Sequence, residues 1–253
     1  MTLPPDADPG QPLSPPMHSK GPLDDVAVPD RFPVVGIGAS AGGLEALQRL
    51  LPKLPTDVGM AYLVVLHLDP YRESHLTEIL GRATEMPVRE AQHHQRIEPN
   101  QVYIIPPNVA MAVGGGILHL VPRGEVRAPH LPVDYLFRSM SEDMQSRAIG
   151  VVLSGTGTDG TQGICEIKAV GGITFAQDEA TAQFGGMPHS TIGSGCVDFV
   201  LSPEDIGARL SSIGAHPYLA PSKAVAPSPV EFDGFYRTVL DLVERSTGVD
   251  FSQ

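Results

Sequence analysis

Three polar residues that follow apolar runs could together perform nucleophilic catalysis. Ser40 follows "VVGIGA", His67 follows "AYLVVL", and Asp159 lies in the loop "SGTGTDG" after a third apolar run. A serine hydroxyl is a weak nucleophile until a neighbouring base takes its proton. An imidazole is such a base near neutral pH, and a carboxylate fixes the tautomer of that imidazole. The residue types therefore fit a Ser-His-Asp triad, and the glycines around Ser40 would leave its hydroxyl unobstructed.

Each of these residues also has a structural alternative. Ser40 could cap the helix that starts in "GGLEALQRLL", since serine is a preferred N-cap residue. His67 could be a structural histidine at a strand end. Asp159, in a loop rich in Gly and Thr, could form an Asx turn or cap a helix. The location of all three residues after strand-like runs favours the triad.

The Gly-rich stretch before Ser40 also permits a nucleotide-binding interpretation. Gly36, Gly38 and Ala41 match the pattern G-x-G-x-x-G/A, in which glycines let the backbone approach a pyrophosphate. That fingerprint needs an acidic residue at the end of the second strand to bind the ribose, and Asp69 lies slightly beyond that position. The glycine pattern alone is weak evidence, so the residues leave both interpretations open.

The elements that must position these residues alternate between strands and helices from residue 32 to about residue 213. This order predicts a mostly parallel sheet with helices on its faces, in which reactive groups collect at the carboxyl ends of the strands. The runs "NVAMAV" and "GILHLV" flank three glycines and predict a small antiparallel hairpin. The clearest helix is "PVDYLFRSMSEDMQSRA", and its apolar face comprises Val133, Leu136, Phe137, Met140 and Met144.

Composition shifts divide the chain into four predicted parts. Residues 1–31 are Pro-rich and are expected to be a disordered leader. Residues 32–213 form the predicted catalytic domain. Residues 214–230 are a Pro/Ala-rich linker, and residues 231–253 carry an amphipathic helix.

Charge, hydropathy and cysteine usage exclude several classes of protein. The formal net charge of −12 argues against nucleic acid as a partner. No apolar run approaches the roughly 20 residues that cross a bilayer, so no membrane insertion is expected. Cys165 and Cys196 have no metal-ligand spacing and fit free thiols in a reducing, cytoplasmic location.

The histidines outside the predicted triad are weak candidates for a function. His93 and His94 lie in a polar loop and are expected to be solvated. His119 alternates with apolar neighbours in the hairpin and is expected to be structural. No metal and no cofactor is expected from the sequence.

Six motifs resemble, in order, the CheB-type protein-glutamate methylesterase domain of bacterial chemosensory systems, from about Phe32 to Leu210. They are "GIGASAGGLEAL", "VVLHLDP", "VYIIPPN", "IGVVLSGTGTDGTQG", "GGITFAQDEATAQFGGMPHSTI" and "VDFVLSPEDI". The resemblance implies a Rossmann-like, doubly wound α/β fold without a bound dinucleotide. It places the catalytic residues on Ser40, His67 and Asp159. It further implies hydrolysis of glutamate γ-methyl esters on a methylated chemoreceptor, with methanol as a product and glutamine deamidation as a side activity.

Three positions depart from the pattern of that family. Thr156 stands where the family usually has methionine, at a turn that helps the oxyanion site, and Ala41 replaces the threonine that commonly follows the nucleophile. Both departures are expected to affect rate and not reaction type. His189 stands in place of an arginine near the active site, which makes it a candidate substrate contact.

The ends of the chain raise a further expectation. Family members typically carry an N-terminal receiver domain, which the Pro-rich leader does not match. The segment "FYRTVLDLVERSTGVDFSQ" resembles the first helix of the CheR-type receptor methyltransferase, so the chain is expected to be the front part of a methylesterase–methyltransferase fusion. Two other functions remain as alternatives: a non-catalytic signalling scaffold and a nucleotide-binding Rossmann module.

Overall fold

The computed structural model describes residues 32–67, 75–123 and 131–214. The predicted leader, nearly all of the linker and the C-terminal helix lie outside the described residues, as does Asp69. No helix within the described ranges has the length and apolar character needed to span a bilayer.

The described residues form ten strands and six α-helices. The strands are β1 Val34–Ala39, β2 Ala61–Leu66, β3 Val88–Glu90, β4 Gln95–Arg96, β5 Gln101–Ile104, β6 Val109–Gly114, β7 Ile117–Pro122, β8 Ala148–Val152, β9 Ile173–Gln177 and β10 Phe199–Leu201. The helices are α1 Gly43–Leu50, α2 Leu76–Gly81, α3 Pro132–Met144, α4 Thr161–Ala169, α5 Gly186–Gly193 and α6 Pro203–Gly214.

Seven strands form a parallel sheet in the order β10-β9-β8-β1-β2-β5-β3. The chain runs outward from β1 through β2, then returns to lay β8 along the other side of β1. The strand order therefore reverses beside β1, and at such a switch point the carboxyl ends of the strands open into a crevice. The predicted Rossmann-like, doubly wound fold is confirmed.

The two faces of β1 pack against different helices. Val35, Ile37 and Ala39 belong to the apolar cluster that includes Leu47 of α1 and Leu210 of α6. The opposite face carries α3, and the five residues predicted for its apolar face are all buried.

Helix α3 approaches β1 closely because two residues of that strand have no side chain. A Cβ atom at Gly38 would lie 2.2 Å from Cγ1 of Val133, and one at Gly36 would lie 2.6 Å from Sδ of Met140. Both separations are far below van der Waals contact, so larger residues would push the helix away. The first two glycines of the dinucleotide-like pattern thus have a packing role that needs no bound nucleotide.

A small antiparallel sheet, in the order β4-β7-β6, packs beside α3. The β6–β7 hairpin is as predicted, and its turn residues Gly115 and Gly116 both have positive φ angles. Their N–H groups donate to the carboxylate of Asp143 on α3, which fixes the turn on the helix. Strand β4 was not predicted, because two residues are too few to show an alternating pattern.

The prediction of free thiols is wrong. Cys165 of α4 and Cys196, which follows α5, are joined by a disulfide with an S–S distance of 2.01 Å. Residues 31 positions apart meet here because α4 and the segment after α5 are neighbours in the fold. Their spacing in the sequence carried no sign of that proximity.

Candidate active site

Ser40 lies at the carboxyl end of the central strand, in the turn between β1 and α1. Its N–H group donates to the carbonyl oxygen of Ser154 (3.0 Å), and its own carbonyl accepts from the N–H group of Gly43 (2.9 Å). The N-cap residue of α1 is Gly42, in the left-handed region with φ 73°, and no side chain caps this helix. The interpretation of Ser40 as the helix cap is therefore wrong.

The end of β8 supports the turn that carries Ser40. A Cβ atom at Gly155 would lie 2.9 Å from Cβ of Ser40 and 2.1 Å from Sδ of Met187. Only glycine lets the strand end come this near to the turn. Gly155 therefore lies between Cβ of Ser40 and the side chain of Met187 in α5.

A buried serine and a buried glutamine complete this support. The hydroxyl of Ser154 donates to the carbonyl oxygen of Ala41 (2.9 Å) and accepts from the N–H group of Phe184 (3.0 Å). The N–H group of Ser154 donates to Oε1 of Gln177 (2.8 Å). Sequence reasoning missed Ser154 and Gln177 as positioning residues. The only available signal was their location at the ends of the predicted strands β8 and β9.

His67 is the first residue after β2, the strand that pairs with β1. Ala39 and Leu66 are in register, and the N–H group of His67 donates to the carbonyl oxygen of Ala39 (3.2 Å). The side chain of His67 is 30% exposed, and its Nε2 lies 2.8 Å from Oδ2 of Asp159. His67 and Ser40 thus occupy adjacent strand ends at one edge of the sheet.

Asp159 is 3% exposed and accepts three hydrogen bonds. Besides His67, the N–H groups of Val133 (3.1 Å) and Asp134 (2.9 Å) donate to its carboxylate. The cap interpretation was therefore half right, because Asp159 caps α3 and not the helix that follows it. Since the carboxylate oxygens accept, Nε2 of His67 carries the ring proton and Nδ1 keeps its lone pair.

A second aspartate repeats this arrangement in the opposite direction. Asp134, in the first turn of α3, accepts from the N–H group of Gly163 in α4 (2.8 Å). Asp134, which lies in α3, thus caps α4, and Asp159, which lies just before α4, caps α3. Burial raises the pKa of Asp134 above its ordinary value, and repulsion from the nearby Asp159 carboxylate raises it further.

A cavity of about 230 Å³ opens beside His67. Its wall is formed by Pro106, Asn108, Arg123 and Pro132, among others. Arg123 is among the lining residues, so the wall of this cavity includes a positively charged residue.

The three tentative site residues lie in different surroundings. Ala41 directly follows Ser40, and its carbonyl is held by Ser154. Thr156 is exposed in the loop that precedes Asp159. His189 is exposed on α5, with Nδ1 3.0 Å from Oε1 of Glu179, so its ring contacts that carboxylate in this structure.

Comparison with known proteins identifies the family. The sequence profile described as CheB methylesterase matches residues 35–210. A protein of Burkholderia pseudomallei (strain 1710b) named protein-glutamate methylesterase/protein-glutamine glutaminase 1 is 38% identical over an alignment of 186 residues. That match covers 70% of this chain and 51% of that protein. A protein of Leptospira interrogans, provisionally named for the same two activities, is 35% identical over 69% of this chain and 91% of its own length.

The fold comparison agrees with the sequence comparison. The crystal structure of the CheB methylesterase catalytic domain of Thermotoga maritima matches with a TM-score of 0.66 and 31% identity. The match covers 72% of this chain and 98% of that one. The chain spans about half of the Burkholderia relative and nearly all of the Thermotoga domain. It belongs to the CheB methylesterase family.

Proposed function

We propose that this chain hydrolyses glutamate γ-methyl esters in a protein substrate, with Ser40 as the nucleophile, His67 as the general base and Asp159 as the group that orients the imidazole. The observation that carries the proposal is the 2.8 Å bond between His67 Nε2 and Asp159 Oδ2, at the strand end adjacent to Ser40. The names of the relatives support the same reaction.

The first half of the reaction forms an acyl-enzyme. Nδ1 of His67 takes the hydroxyl proton of Ser40 while Oγ attacks the ester carbonyl carbon. The imidazolium that forms is stabilised by the carboxylate of Asp159. The bond from carbonyl carbon to methoxy oxygen then breaks, the imidazolium returns its proton to that oxygen, and methanol leaves.

The second half regenerates the enzyme. A water molecule gives a proton to Nδ1 of His67 and attacks the acyl carbon, and the bond to Ser40 Oγ breaks as the proton passes to that oxygen. The products are free Ser40 and a glutamate carboxylate. The same steps on a glutamine side chain release ammonia, which is the proposed deamidase activity.

Backbone N–H groups are the proposed stabilisers of the negative charge on the carbonyl oxygen. The N–H group of Ala41 and the first turn of α1 follow the nucleophile directly, where the helix dipole favours negative charge. Thr156 belongs to the neighbouring loop and is proposed to tune this site. His189 is proposed to contact the substrate, after release from Glu179.

The proposed substrate is a methylated chemoreceptor, which would place the reaction in the cytoplasm. The positive charge of Arg123 in the cavity beside His67 suits a receptor segment that carries glutamates. A CheR-type methyltransferase domain remains a proposed covalent partner, on the resemblance of the segment from Phe235 to the C-terminus, which lies outside the described residues.

Methanol release from a methylated receptor tests the proposal. We expect turnover by the unaltered chain and none by Ser40→Ala, whose fold should survive because the Ser40 side chain makes no cap of α1. A serine-directed fluorophosphonate should label the unaltered chain and not the variant. Near-normal turnover by Ser40→Ala would exclude Ser40 as the nucleophile, and absence of labelling and turnover in the unaltered chain would favour the scaffold alternative.

A further inference from the structure

Three histidines meet on the small antiparallel sheet, away from the Ser40 turn. His93 and His94 lie between β3 and β4, and His119 lies on β7. One ligand nitrogen from each ring can be chosen so that all three lie within 4.8 Å of one another. His93 and His94 were predicted to be solvated and His119 to be structural. Nothing in the sequence pattern indicated that the three would converge.

Hydrogen bonds fix the backbone positions from which these rings project. The N–H group of His94 donates to the carbonyl oxygen of Leu118 (2.8 Å), and His94 has a positive φ of 63°. His119 is paired with Ala112 in the β6–β7 ladder. Nδ1 of His93 accepts from the N–H group of Leu120 (3.0 Å). Hydrogen bonds therefore attach the turn that carries His93 and His94 to strand β7, which carries His119.

His119 keeps a nitrogen lone pair for a ligand, whereas the lone pair on Nδ1 of His93 accepts from the N–H group of Leu120. His93 and His94 rings are 3.8 Å apart at a tilt of 33°, and His119 stands edge-on to both, with centroids 6.0 and 5.6 Å away. Nε2 of His119 lies 3.4 Å from the carbonyl oxygen of Gly114, which can only accept. The ring proton of His119 therefore belongs on Nε2, and Nδ1 keeps its lone pair.

Three imidazoles are a ligand set suited to borderline divalent metal ions. Zinc binds histidine nitrogen at about 2.0–2.1 Å, so two nitrogens on one tetrahedral zinc lie about 3.3 Å apart. The present separations of up to 4.8 Å need to shrink by about 1.5 Å, which small side-chain rotations of exposed rings supply. The hydrogen bond from the N–H group of Leu120 to Nδ1 of His93 would break if the His93 ring turns toward the ion. Water would then bind this N–H group, because the bond lies at the exposed surface.

We propose that His93, His94 and His119 form a site for one divalent transition-metal ion, with zinc as the ion of reference. Water completes the coordination, since His93 and His94 are exposed. The ion would tie the connection between β3 and β4 to strand β7, and so join an edge of the parallel sheet to the small sheet. An ion that binds at this site binds the folded chain, and it therefore stabilises the folded state by mass action.

Zinc titration of the tag-free, chelator-treated chain tests the site. We expect one zinc per chain by calorimetry and a rise in melting temperature of about 3 °C or more once zinc is well above its Kd. Zinc should also shift the imidazole nuclear magnetic resonances of His93, His94 and His119, while those of His75 stay in place. Absence of binding, or shifts confined to other histidines, would overturn the proposal.

Two ligand variants and one matched control locate the site. His94→Asn is the main variant, because asparagine tolerates the positive φ at this position. It should weaken zinc binding at least tenfold, and His119→Asn should do the same. His75→Asn removes an exposed histidine before α2 and should leave zinc affinity within twofold. Unchanged affinity in both ligand variants, with a normal melting temperature in the absence of zinc, would show that zinc binds elsewhere and would also overturn the proposal.

Discussion

Asp159 combines a structural and a proposed chemical role in one carboxylate. Its oxygens hold the first turn of α3 through Val133 and Asp134 and hold the ring of His67 from the other side. The helix N-terminus and the imidazole therefore share one acceptor. A change at Asp159 must affect both catalysis and folding, and an experiment has to separate the two.

Asp159→Asn should lower kcat by roughly 10³-fold or more. The amide group can donate to Nε2 of His67, which moves the ring proton to Nδ1, the nitrogen proposed to take the proton of Ser40. One backbone N–H group of α3 also loses its acceptor, at a cost of about 1–3 kcal/mol in the free energy of unfolding. Turnover must therefore be measured well below the melting temperature of the variant. A loss under tenfold in the folded variant would reduce Asp159 to a helix cap.

Asp134 makes a prediction about pH. Its pKa is raised in the folded chain, so folding is penalised once the carboxyl ionises, and the penalty grows as pH rises above the ordinary value of 3.8. Asp134→Asn removes that penalty. The melting temperature of the variant minus that of the unaltered chain should become more positive from about pH 4 to about pH 7. A difference that is constant or falls over this range would contradict the assigned direction.

At the scale of elements, the contact between β1 and α3 decides which residues β1 accepts. Gly38→Ala places a methyl group against Val133 and should cost about 1–3 kcal/mol of unfolding free energy. Gly193→Ala is the matched control, because a Cβ at this helical position meets nothing within 4 Å. We expect thermal unfolding to show a clear loss for the first variant and almost none for the second. Equal stabilities would mean that α3 does not pack tightly on the glycine face.

Two tyrosines on neighbouring strands are expected to respond differently to the loss of the hydroxyl group. The hydroxyl of Tyr62 on β2 is buried without a hydrogen-bond partner among the described residues, whereas that of Tyr103 on β5 accepts from the N–H group of Glu98 (3.0 Å). Burial raises the pKa of both. Tyr103→Phe should lower the melting temperature by about 2–4 °C, the equivalent of about 1 kcal/mol, while Tyr62→Phe should leave it unchanged or raise it. A greater loss in Tyr62→Phe would indicate an unseen partner for its hydroxyl.

The sequence predicted features that depend on residues close together in the chain, and it missed those that depend on contacts between distant residues. Strand runs, the α3 face and the hairpin are local patterns of apolar residues, and the topology of a parallel sheet was enough to expect Ser40, His67 and Asp159 at one edge. The bond between Ser154 and Ala41 joins residues 113 positions apart. The crossed caps of Asp134 and Asp159, the disulfide and the histidine cluster likewise depend on which elements become neighbours, and periodicity carries no information about that.

At the scale of the whole molecule, α6 is the last described element that contributes to the hydrophobic core. Ile206 and Leu210 of that helix are fully buried against the sheet, and the family match ends at residue 210. The Thermotoga maritima catalytic domain is a chain almost wholly covered by the matched part of this one. A domain of this extent therefore has the core it needs without the residues that follow the linker.

Deletion of residues 222–253 should consequently change the melting temperature and the methanol-release rate very little. Phe235, Val239 and Leu242 recur at helical spacing, so the sequence predicts for this segment an apolar face that another surface would cover. The Pro/Ala-rich composition of residues 214–230 predicts a linker, which would permit that surface to belong to a separate domain or to a second chain. The control is the full chain at the same concentration, with size-exclusion chromatography to detect self-association through the tail. A fall of more than roughly 5 °C, which corresponds to about 1 kcal/mol or more, would show instead that the segment packs on the esterase core. That result would contradict its assignment to a methyltransferase partner.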